Sequence, residues 1–153
     1  MQTVQSDRIE TQTIVRAPRS RVWRALTDAQ EFGNWFGVRP TAPFKPGARS
    51  TGAVTHKGYE HLTWDVTIET MDPERRFSWR WHPGDVNASD CVGEPTTLVV
   101  FELEDVPGGT LVKVIETGFD AIPAARRAAA YRSNDDGWGA QMEAIRSYVE
   151  AAS

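Results

Sequence analysis

Glu116 is the polar side chain that pattern places best for chemistry. It continues the alternation Val112, Val114, Glu116, and residues two apart on a strand share a face. A carboxylate on an inward face is a candidate general base or an anchor for a ligand's polar group. The competing reading is a strand-end glutamate in water or paired with an arginine. Acid–base chemistry also needs a second group in the same hollow, for which Tyr59, His61 and Tyr131 are the candidates. His56, His61 and His82 match no familiar metal-ligand spacing, and Cys91 lies in a loop far along the chain. No metal and no cofactor is therefore expected. There is no Gly-x-Ser-x-Gly elbow, and Cys91 has no local partner for nucleophilic work. Asp85 and Asp90 read as solvated loop residues. Val106-Pro107-Gly108-Gly109 reads as a turn rather than a phosphate cradle. These residues make no convincing catalytic constellation.

The stronger signal is apolar. Phe77, Trp79 and Trp81 occupy alternate positions of Arg75-Arg76-Phe77-Ser78-Trp79-Arg80-Trp81-His82. As a strand, this run puts three large rings on one face and polar groups on the other. A buried aromatic ring removes roughly 200 Å² from water, on the order of 5 kcal/mol gross at about 25 cal/mol/Å². Leaving several rings in a wet hollow would forgo much of that. The row is therefore either the floor of a closed core or the wall of a pocket suited to a hydrophobic ligand. On the pocket reading, the wall comprises Trp64, Val66, Phe77, Trp79, Trp81, Phe101, Val114 and Glu116 from strands, with Trp138, Met142 and Ile145 from the last helix. Trp23 and Phe32 are expected to anchor helices.

These side chains need elements to position them. A strand is predicted from about Arg8 to Val15, where Ile9, Thr11, Thr13 and Val15 alternate with polar residues apart from Ile14. Ala17-Pro18 breaks it, and a short helix from about Pro18 to Leu26 follows. Thr27-Asp28 can cap a second one, running through Glu31 to about Trp35. A weak strand run covers Ala48 to His56. Clearer alternation marks Leu62, Trp64, Val66 and Ile68, then Val99, Phe101 and Leu103, then the Val112 segment, whose inward face is less clear. Turn signals at Lys45-Pro46-Gly47, Met71-Asp72-Pro73-Glu74 and Val106 to Gly109 make this an antiparallel meander. Pro83 to Pro95 is a long loop of the kind that forms a binding lid or rim. A short helix is predicted from Pro123 to Arg132. A final one starts at Asn134-Asp135-Asp136, with Trp138, Met142, Ile145, Val149 and Ala152 along one stripe. The expected fold is α+β. A strongly curved antiparallel sheet of about six strands wraps a long C-terminal helix, with two short helices after the first strand.

Composition narrows the function. The 153 residues suit one domain, 1–153, with enough chain for a sizeable core. Net charge is −4 with no basic tail, which argues against nonspecific nucleic-acid binding. One cysteine excludes an internal disulfide and fits a reducing compartment. Met1 to Arg16 lacks the apolar core of a signal peptide, and no run approaches eighteen apolar residues. A cytoplasmic protein without membrane insertion is expected. Exposure of Trp35 or Phe36, or of the meander edge, would allow a homodimer.

Several motifs together resemble a known family. They are Ile14-Val15-Arg16-Ala17-Pro18 leading into Val22-Trp23-Arg24-Ala25-Leu26-Thr27-Asp28, then Trp35-Phe36-Gly37, and Phe77 to Pro83. Glu94 to Phe101, Glu116-Thr117-Gly118-Phe119-Asp120 and Gly137-Trp138 complete the set. The chain resembles the START/Bet v 1 helix-grip (SRPBCC) superfamily, in its Aha1-like (activator of Hsp90 ATPase homologue 1-like) branch, over essentially its whole length. The resemblance implies a helix-grip fold and three functions in order. First is binding of a hydrophobic or aromatic small molecule between sheet and terminal helix. Second is a cyclase- or hydrolase-type enzyme using Glu116. Third is a regulator of Hsp90-type chaperones. In the eukaryotic proteins that last activity involves an additional N-terminal domain, whereas this chain begins almost directly at its first strand.

Overall fold

A computed structural model describes residues 7–152. Strand β1 spans Arg8–Val15, followed by helices α1 (Arg19–Thr27) and α2 (Ala29–Phe36). Six strands follow: β2 (Val38–Pro40), β3 (Arg49–Val54), β4 (Thr63–Asp72), β5 (Arg76–Trp81), β6 (Thr97–Val106) and β7 (Gly109–Thr117). Helix α3, Ala124–Ala152, ends the fold. The strands form one curved antiparallel sheet of seven, in the order β1-β7-β6-β5-β4-β3-β2. The first strand thus pairs with the last, and the rest of the sheet is a meander.

The expected α+β architecture is present, with two differences of detail. One is the seventh strand, β2. It has only three residues and ends in Pro40, too short for alternation to register. The other is α3, which is one 29-residue helix rather than two. The sequence pattern starts the second helix at Asn134-Asp135-Asp136. The Asn134 side chain instead reaches across to β7 and to the loop after β5, leaving the helix backbone unbroken. Trp138, Met142, Ile145 and Val149 are buried along one stripe. The side chain of Ala152, expected on the same stripe, lies outside the described residues, as do positions 1–6 of the segment read for a signal peptide.

The short helices form where the local chemistry dictates. Asp28 accepts hydrogen bonds from the N–H groups of Gln30 and Glu31, capping α2. Gly37 ends α2 at φ 96°, a conformation that favours glycine, and its carbonyl accepts from the N–H groups of Thr55 and His56. Phe32, expected as a helix anchor, lies at the centre of the aromatic core. Its ring contacts those of Trp35, Phe36, Phe44, Trp64, Phe77 and Trp79, with centroids 4.6–6.5 Å away. Trp35 is buried, and its indole N–H donates to the Ala25 carbonyl at 2.8 Å. It is therefore not the exposed ring expected for self-association. Phe36 is half-buried and stacks on Phe32.

Register explains why Glu116 faces inward. It pairs with Ile9 on β1 and Val99 on β6, and both neighbours are buried on the face covered by α3. Val112 and Val114 share that face, which settles the orientation of β7.

Candidate functional site: an aromatic cavity beside a buried carboxylate

A cavity of about 550 Å³ lies between the sheet, α2 and α3. Trp64 of β4, Trp81 of β5, Trp138 of α3 and Phe36 of α2 form its apolar wall. His56, Tyr59 and Leu62 border it from the β3–β4 connection, and His82, Asp85 and Val86 from the loop after β5. Asn134, Asp136, Gly137 and Gln141 border it from α3. His56, Tyr59, Asp85 and Asp136 are exposed, so the cavity opens to solvent on their side.

Of the residues predicted for the pocket wall, Trp64, Trp81 and Trp138 line the cavity. Val66, Phe77, Trp79, Phe101, Val114, Met142 and Ile145 do not line it and are packed into the closed core. Both readings of the aromatic row are thus realised on one strand. Phe77 and Trp79 are core floor, while half-buried Trp81 is cavity wall. The strand runs from beneath α2 out to the mouth, so rings on one face meet different depths.

Glu116 lies behind this wall and does not line the cavity. It is 0% exposed. Its Oε1 accepts from the Trp138 indole N–H at 2.7 Å and from Asn134 Nδ2 at 2.9 Å. Its Oε2 accepts from the Trp81 indole N–H at 2.9 Å, the Thr97 hydroxyl at 2.6 Å and Asn134 Nδ2 at 3.0 Å. Every partner donates, which is what an ionised carboxylate requires. Glu116 takes part in none of the ion pairs among the described residues, so the expected alternative of an arginine partner is not what the fold builds. Trp81 and Trp138, two of the indoles lining the cavity, therefore have their polar edges turned back into the protein.

The other candidates for acid–base chemistry do not converge with it. Tyr59 lines the cavity, but His61 and Tyr131 do not. The Tyr131 hydroxyl donates to the Arg8 carbonyl. Among the described residues, the histidines join no cluster of three or more ligand-type side chains. Cys91 is buried, and burial chiefly pushes its thiol up.

Asn134, which the sequence pattern marks only as a helix start, is a site residue. Its Nδ2 serves Glu116 while its Oδ1 accepts the Gly84 N–H at 3.1 Å. Arg126 Nη1 donates to the Pro83 carbonyl, and its Nε pairs with Glu94. On the opposite side of the mouth, Asn87 Oδ1 accepts from the Thr63 N–H at 2.9 Å. The loop predicted as a lid or rim is thus clasped to α3 and to β4. Gly84 sits at φ 92°, where an added Cβ would meet Ala130 at 3.2 Å.

A curved sheet gripping a long terminal helix, with a ring-walled hollow between them, defines a helix-grip protein. The family model for the activator of Hsp90 ATPase homolog 1-like proteins matches residues 16–150, and the chain belongs to that family. Solved structures share the fold. The protein MLL2253 from Mesorhizobium loti is 21% identical, with 95% of this chain and 98% of that one covered at a TM-score of 0.75. NE0264 from Nitrosomonas europaea is 16% identical, with 98% of each chain covered and a TM-score of 0.73. DynU16, encoded in the dynemicin biosynthetic locus, is 23% identical with a TM-score of 0.73; 95% of this chain is covered but only 48% of that one. No curated protein matches the chain at a significant level. No helix among the described residues is long and apolar enough to cross a membrane.

Proposed function

We propose that this chain is a small-molecule binding protein whose ligand is hydrophobic or aromatic and occupies the cavity between sheet and α3. One observation carries the reading. Glu116 takes the N–H groups of both Trp81 and Trp138, so these lining indoles have no free N–H for a ligand and meet it only through their rings. A cavity of about 550 Å³ walled this way suits a ligand of ordinary metabolite size, within the range of roughly 300–1,000 Å³ usual for such sites. The wall is held before any ligand arrives, which lowers the ordering cost of binding.

Native mass spectrometry of the protein with a panel of apolar and aromatic compounds tests this. Displacement of the neutral dye phenylnaphthylamine, read together with quenching of tryptophan emission, is a second assay. Saturable one-to-one uptake is expected. A folded protein that takes up nothing from either assay refutes the reading.

A further inference from the structure

We propose that the cavity selects organic cations, such as flat aromatic rings with a protonated ring nitrogen; the inference rests on the binding reading above and specifies its ligand. Three separate observations point the same way. The wall is aromatic, and the face of an indole ring attracts positive charge. The two indoles Trp81 and Trp138 donate their N–H groups to the Glu116 carboxylate. Hydrogen-bonded groups polarise one another, so a carboxylate at the N–H edge pushes electron density toward the ring face and strengthens that attraction. The negative charge of Glu116 has no lysine or arginine opposite it among the ion pairs of the described residues.

The mouth carries the same sign. Asp85 and Asp136 border it, both exposed, and neither forms an ion pair with a lysine or arginine among the described residues. Asp85 accepts a hydrogen bond from the Ser133 hydroxyl at 3.3 Å. No lysine or arginine is among the described residues lining the cavity. Arg126, beneath the loop, is turned to Glu94 and the Pro83 carbonyl. An anionic ligand would meet a carboxylate behind the wall and two at the entrance. A cation would supply the countercharge that the site lacks.

The test uses three dyes of similar size: cationic proflavine, neutral phenylnaphthylamine and anionic anilinonaphthalene sulfonate. Titration at low and moderate salt should show proflavine binding about tenfold or more tighter than the sulfonate, with the gap narrowing as salt screens the mouth. The double variant Asp85→Asn/Asp136→Asn should weaken proflavine roughly three- to tenfold and phenylnaphthylamine by a clearly smaller factor. Both positions are exposed, so an unchanged melting temperature is expected and serves as the folding control. If the neutral dye binds while proflavine shows no preference over the sulfonate, the cation inference fails and the binding reading stands. If none of the dyes binds the folded protein, both fail.

Discussion

The indole N–H of Trp138 donates to Oε1 of Glu116 at 2.7 Å, joining the middle of the terminal helix to the end of the last strand. This bond fixes one wall of the cavity. It is also one of several bonds that occupy both carboxylate oxygens with donors from the protein itself.

Glu116→Gln should destabilise the protein. Whichever oxygen position the amide's NH₂ takes, it would face an indole N–H, which can only donate, leaving buried donors unpaired at a cost of about 1–3 kcal/mol. That corresponds to a melting temperature several degrees lower, since about 1 kcal/mol shifts a domain of this size by roughly 2–4 °C. Near-ultraviolet circular dichroism should change as Trp81 and Trp138 lose their shared acceptor. Unaltered melting and an unaltered aromatic spectrum would show that the network holds nothing in place.

Trp79→Ala and Trp81→Ala separate core from cavity. Trp79 is 0% exposed, and its truncation should cost about 3–5 kcal/mol. Trp81 is half-buried, so its truncation should cost less while reducing dye uptake more, when both are compared as folded proteins. Equal losses of stability and binding in the two variants would contradict the division of the row.

Gly137 and Gly139 both lie inside α3, and nothing stands within 4 Å of a Cβ added at either. Each costs helix stability, so alanine at either position should stabilise by about 0.8–1 kcal/mol. Only Gly137 borders the cavity. Gly137→Ala should therefore raise the melting temperature and weaken binding of bulky dyes, while Gly139→Ala raises it alone. Matching dye affinities in the two variants would count against Gly137 as a determinant of cavity shape.

Cys91 should react slowly with a disulfide-exchange reagent in the native protein, because burial, above all, raises its thiol above the ordinary range. A thiol raised in this way stabilises the fold below its unfolded titration range. That contribution is lost as pH climbs through the folded value. Labelling at neutral pH as fast as that of a free cysteine would contradict the burial. Stability falling on acidification, with the fall abolished by Cys91→Ala, would contradict the sign.

The meander was legible because Trp64, Val66 and Ile68, and then Val99, Phe101 and Leu103, alternate with outward residues that are polar apart from Val100, between turn signals. The same rule pointed Glu116 inward, since a strand keeps its period of two whatever covers it. Periodicity assigns a face but not a depth. Only the curvature of the sheet against α2 and α3 decided that Phe77 and Trp79 fill the core while Trp81 reaches the cavity. The partners of Glu116 were equally out of reach. Trp81, Thr97, Asn134 and Trp138 lie 35, 19, 18 and 22 positions away, and no local spacing brings four donors to one carboxylate. Asn134 also has two opposite local meanings, a cap when its side chain turns to its own backbone and a strut when it turns away. Sequence alone therefore determined the elements and their inward faces, which follow from backbone geometry and alternation. Tertiary packing chose the wall, the buried anion and the opening, because these depend on which distant side chains arrive at one point.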